Sequence, residues 1–202
     1  MRRLLLAVVV LLPVPAFAAF TITGKITNEA GTGLANVDLD LIDQCSGDNI
    51  FLVNDKTAPD GTYSIVVNPG TYDVHYTPAT ASVVTGAERP DYVVAANANL
   101  GTTVLHPGWL VSGTVKTVAS AGIANVDLKW VSATTGQKVW VGKDVTNASG
   151  AYSMRVPPGT YDVEFRPAAG QTFITGRREN LVVVADVSGL AETEEAYTED
   201  SR

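Results

Sequence analysis

Asn68-Pro69-Gly70-Thr71-Tyr72-Asp73-Val74 returns almost letter for letter as Pro157-Pro158-Gly159-Thr160-Tyr161-Asp162-Val163. The chain is therefore a duplication. Working outward, Gly24 and Gly113, Gly33 and Gly122, Gly61 and Gly150, and Gly70 and Gly159 each stand 89 residues apart. The offset slips by one residue only near Thr85-Gly86 and Thr175-Gly176, where the letters match best at 90. A spacing held over so much chain implies that both copies share one fold. Because the flanking segments alternate apolar and polar residues, the Pro-Gly pair reads as a β-hairpin turn with Pro second and Gly third.

Each copy consists of short alternating runs punctuated by Gly, Pro, Asn and Asp, with no helical period of useful length. The expected strands of the first copy are Phe20 to Thr27, Leu34 to Leu39, Asn49 to Lys56, the two arms of the Pro-Gly turn, Tyr92 to Ala96, and Leu100 to Leu105. Comparing copies identifies the buried face. Tyr63, Ile65 and Val67 answer to Tyr152, Met154 and Val156, whereas Val66 answers to Arg155. Tyr72, Val74 and Tyr76 answer to Tyr161, Val163 and Phe165, whereas His75 answers to Glu164. The tyrosine face is thus the core face, and the other faces water. The prediction is all-β: two tandem seven-stranded Greek-key sandwiches, spanning 19–106 and 109–191. The short connection Leu105-His106-Pro107-Gly108-Trp109 predicts beads in line with little hinge motion.

The ends carry targeting information. Arg2 and Arg3, an apolar run from Leu4 to Leu12, and Ala16-Phe17-Ala18 before Ala19 form the three-part layout of a secretory signal peptide over 1–18, cleaved between Ala18 and Ala19. The run is too short to span a bilayer. Removing it takes away two arginines and no acid, so the net charge of −7 becomes −9 and nucleic-acid binding is disfavoured. Residues 192–202 are expected to be a solvated acidic tail. Cys45 is the only cysteine, so no internal disulfide is available and an incidental free thiol is expected.

The residues Gly24, Gly33-Leu34-Ala35-Asn36-Val37, Asp60-Gly61-Thr62-Tyr63 and Pro69-Gly70-Thr71-Tyr72-Asp73-Val74, with their counterparts, resemble the carboxypeptidase regulatory-like family of the transthyretin-like (prealbumin-like) group. The resemblance covers nearly all of the chain between leader and tail. It implies a seven-stranded sandwich and an accessory or adhesive role. The motifs are core and turn positions, so they say little about activity. The catalytic domain of a zinc carboxypeptidase has no room here, and the His and Arg site of transthyretin-like hydrolases has no counterpart. Lys25, the lysine that would enter an isopeptide bond of the related pilus type, answers to Thr114 and has no suitably placed acid.

Candidate sites are sparse. His75 and His106 are the only histidines, too few for a metal centre of converging ligands. Asp38, Asp40, Asp43 and Asp48 lack the Gly-centred spacing of a calcium loop. Ser64 and Ser153 are in no nucleophile elbow. Asn147-Ala148-Ser149 fits a glycosylation acceptor but overlaps a turn. Trp130 is expected in the core and Trp109 at the junction. Phe51 and Trp140, equivalent aromatics on the third strand, are the candidate ligand surface, with packing as the alternative for Trp140. The reading is an exported, secreted or periplasmic, non-catalytic binding module without cofactor or metal, directed at polysaccharide or an envelope protein. The alternatives are a structural subunit assembled through edge strands and an accessory subunit of a secreted enzyme.

Overall fold

The computed structural model describes residues 18–79 and 81–194, so the expected leader, apart from Ala18, and the last eight residues lie outside it. The described residues contain strands and no helix. The first copy forms β1 (Phe20–Asn28), β2 (Asp38–Asp43), β3 (Asn49–Ile50), β4 (Thr62–Val67), β5 (Gly70–Thr77), β6 (Ala87–Val94) and β7 (Ala98–Leu105). The second forms β8 (Trp109–Thr117), β9 (Asp127–Ser132), β10 (Lys138–Val139), β11 (Ala151–Val156), β12 (Gly159–Arg166), β13 (Gly176–Val183) and β14 (Val187–Glu194). Every strand begins and ends 89 residues after its counterpart. The expected slip at Thr175-Gly176 is therefore absent. Gly86 is structurally equivalent to Thr175, and the matching Thr-Gly letters are a coincidence of composition.

In each copy a three-stranded sheet, β4-β1-β7 or β11-β8-β14, faces a four-stranded sheet, β3-β2-β5-β6 or β10-β9-β12-β13. Both sheets of the first copy bury side chains in one cluster, among them Ile26, Leu39, Tyr63, Ile65, Tyr72 and Tyr76. The second cluster repeats it with Val115, Leu128, Tyr152, Met154, Tyr161 and Phe165. Each large apolar side chain buried in this way contributes about 1.5 to 3 kcal/mol, so these strands dominate the stability.

The Pro-Gly segment is not a hairpin. β4 pairs with β1, whereas β5 pairs with β2 and β6, so Pro69-Gly70 and Pro158-Gly159 carry the chain from one sheet to the other. Neither glycine takes a left-handed φ. What requires glycine is the tyrosine two residues on. A Cβ at Gly70 would lie 2.7 Å from the Tyr72 hydroxyl, and one at Gly159 would lie 2.7 Å from that of Tyr161. These hydroxyls donate back to Asn68 O at 3.1 Å and Pro157 O at 2.9 Å, which fixes the arch. Gly24 and Gly113 have the same duty, since a Cβ at either would collide with the ring of Tyr63 or Tyr152.

Other expectations need correction. The second strand, expected over Leu34 to Leu39, runs from Asp38 to Asp43, and the one expected over Tyr92 to Ala96 runs from Ala87 to Val94. The third strand, predicted over Asn49 to Lys56 and Lys138 to Val145, pairs for two residues only. Asn54 and Lys143 then take φ of 61°, throwing the chain outward before single bridges at Lys56 and Val145 return it. The tail does not begin at Glu192, nor the sandwich end at 191. Glu192 pairs with Val115 in β14, and its carboxylate accepts from Arg178 at 3.0 Å.

Candidate functional site

What the two copies share builds the sandwich. Gly61 and Gly150 take φ of 82° and 74° where the chain passes against Ile26 O and Val115 O. Asp60 Oδ1 accepts from the Thr62 amide and hydroxyl, which holds its carboxyl below the usual range. Asn147 Oδ1 accepts from Ser149 N, Ser149 Oγ and Ala151 N, so this Asn-Ala-Ser is engaged as an Asx-turn. A repeated lock escaped the sequence reading. Thr57 Oγ1 accepts from Val37 N at 2.9 Å and donates to Leu34 O at 2.6 Å; Thr146 does the same with Val126 N and Ile123 O. The signal was available, because both threonines occupy equivalent positions.

Where the copies differ, they meet. The linker is stitched to the first copy by Thr85 N to His106 O at 2.8 Å and Gly108 N to Val83 O at 3.0 Å. A Cβ at Gly108 would collide with the Thr85 methyl and sit 2.9 Å from Val156 O, so only glycine allows the copies this close. Arg155 does not face water as its alternation predicted. Its guanidinium donates to Ser82 O at 2.5 Å and to Gly108 O at 2.9 Å, clamping β11 onto the loop ahead of β6. His75 does not face water either. Its ring lies 4.8 Å from that of Trp140, tilted by 40°, while its Nε2 meets Glu88 at 3.2 Å.

The sequence-predicted site residues part company here. Trp140 is half-buried between His75 and Gly86, whose added Cβ would strike the indole. Phe51, its equivalent, is 89% exposed on the other copy, so the two do not form a common strip. Trp109 lies at the junction beside Val83, Pro107 and Pro158 with part of its ring uncovered. Trp130 is in the core as expected, edge-on to Tyr161 at 5.5 Å, and its Nε1 has no partner among the described residues. His106 meets Glu29 at 2.8 Å.

An open groove runs beside the joint, lined by acids that include Asp38, Asp40, Asp73 and Glu88, together with His75 and Trp140. One acid at its edge is out of the ordinary. Burial first, and the charge of Asp127 second, push the Asp144 carboxyl up to about 6. In the first copy the equivalent pair, Asp38 and Asp55, has Lys56 within 3.4 and 3.8 Å. The residue in the place of Lys56 is Val145, so the second pair lacks that cation. Among the described residues no cluster of three or more metal-ligating side chains exists, and no helix is long and apolar enough to cross a membrane.

No family model matches the chain, and no curated protein matches it. Several solved structures are distantly similar. The TIE protein of Bacillus anthracis is 14% identical, with a TM-score of 0.36 over 89% of this chain and 34% of its own. A streptococcal ancillary pilin is 9% identical, with a TM-score of 0.36 over 89% of this chain and 62% of its own. The shaft pilin SpaA of Lactobacillus rhamnosus GG is 11% identical, with a TM-score of 0.35 over 91% of this chain and 99% of its own. The chain thus spans about a third of the first and less than two thirds of the second. At these TM-scores the likeness carries no inference about this chain.

Proposed function

We propose that the mature chain is an exported, non-catalytic structural subunit of an extracellular or surface assembly, built as two β-sandwiches fixed end to end. The observation that carries this reading is the division of labour between shared and differing residues. Shared letters (the paired glycines, tyrosines and threonines) are spent on packing and turns. Differing letters, His75 against Glu164, Gly86 against Thr175 and Val66 against Arg155, are spent on joining one unit to the next. Export rests on the leader-like residues 1–18.

A structural subunit self-associates as its concentration rises. Sedimentation velocity on residues 19–202, up to about 1 mM, where a contact of about 4 kcal/mol is half-formed, is expected to show multimers. A monomer throughout that range would overturn the reading. A second reading, recognition of polysaccharide, draws support from the acidic groove and the ring edge of Trp140. Retention on insoluble polysaccharide that is lost in Trp140→Ala, from a chain that stays monomeric, would favour it.

A further inference from the structure

The joint between the copies has an unused equivalent at each end of the molecule. On the second copy the joint surface is Trp140, Gly142 and Arg155, and 89 residues earlier these are Phe51, Val53 and Val66. The backbone beneath them is the same, with Asn54 and Lys143 sharing φ of 61°. In place of a joint, the first copy shows three exposed apolar side chains, at 89%, 69% and 62%. At the opposite end, the residues equivalent to Thr85 and Gly86 are Ile174, 50% exposed, and Thr175.

We infer that the Phe51, Val53, Val66 face is a docking surface for the Ile174-Thr175 end of a second copy, so that molecules join head to tail. The occupant is argued from three exchanges. Inside the chain, the large Trp140 requires Gly86 opposite it. Between chains, the smaller Phe51 would meet Thr175, so what the ring gives up the threonine fills. Inside the chain, Arg155 and Thr85 surround the polar linker carbonyls of His106 and Gly108. Between chains no covalent linker passes, and both positions are apolar, as Val66 and Ile174. Gly142 and Thr77, whose contact is 3.5 Å for an added Cβ, become Val53 and Arg166, both larger. The Arg166 guanidinium is held aside by Glu164 at 2.6 Å, leaving its stem to face Val53 at the rim. A contact of one end with the opposite end is heterologous, so it yields chains or rings of subunits and not two-fold dimers.

This inference rests on the structural reading above and fails separately from it. In a Cys45→Ser background, Phe51→Cys with Thr175→Cys is treated with a short bismaleimide and resolved under denaturing conditions. A ladder of dimer, trimer and higher species is expected. Dimers that also form with Phe51→Cys alone would mean that two identical faces meet, and would overturn the head-to-tail assignment. Absence of cross-links at a concentration where the double-cysteine protein sediments as multimers would overturn it as well. In parallel, Phe51→Asp is expected to weaken association measured by sedimentation about thirtyfold, the scale of an interface hot spot. Val182→Asp, at an exposed position on β13 away from the Ile174 end, is expected to leave it unchanged. Multimers of wild type that persist in Phe51→Asp would sink this face while leaving the structural reading intact.

Discussion

At the residue scale, the paired tyrosines supply the strictest comparison, because Tyr72 and Tyr161 have the same burial, the same glycine beneath the hydroxyl and the same carbonyl four residues back. Tyr72→Phe and Tyr161→Phe are therefore expected to cost about 1 kcal/mol each, the net value of one hydrogen bond, and by similar amounts in urea denaturation. A large loss at one site and none at the other would mean that the copies are not equivalent. Asp144 provides a pH test. Its folded carboxyl is raised from 3.8 to about 6, so the native state holds the extra proton between those values. Stability consequently falls as pH rises from about 4 to about 6, and the deficit is complete at neutral pH. Asp144→Asn should remove that slope and add on the order of 1 kcal/mol at pH 7, allowing for solvent screening. Val145→Lys should return the cation that Lys56 supplies in the first copy and bring the Asp144 titration, followed by NMR, back toward the ordinary range. An Asp144 resonance that titrates near 4 in wild type would refute the account of this pair.

At the scale of elements, the sequence revealed the first strand, the two arms of the Pro-Gly segment and their buried parity, but it began the second strand at Leu34 where the ladder begins at Asp38, and it did not show which strands share a sheet. Tyr63, Ile65 and Val67 alternate identically whether β4 lies beside β5 or opposite it, so parity cannot separate a hairpin from an arch. The letters Pro-Gly suggested a turn, while the demand for glycine came from a tyrosine ring. The third strand was overread because apolar residues continue through Phe51, Leu52 and Val53 although the ladder ends at Ile50 and the backbone then turns outward at Asn54. Glu192 was placed in the tail because its charge outweighed its position in an alternating run that ends in β14. The threonine locks give an element-scale prediction. Thr57→Val and Thr146→Val keep the shape but orphan a buried amide and a carbonyl, so each should cost about 1 to 3 kcal/mol by thermal or chemical unfolding. Substitution without loss would show that these hydroxyls are incidental.

At the scale of the whole molecule, the joint was legible in outline only. Three residues separate β7 from β8, yet the residues that close the joint, His75 and Arg155, had been assigned to water. A solvent face and an interface face alternate alike along a strand, and only disagreement between copies at equivalent positions distinguishes them. Residual dipolar couplings on residues 19–202 test the joint most directly. One alignment tensor is expected to fit both copies in wild type, and two in Trp140→Ala combined with Arg155→Ala, with each sandwich still folded. Two independent tensors in the wild-type chain would contradict the claim that the copies form one rigid subunit.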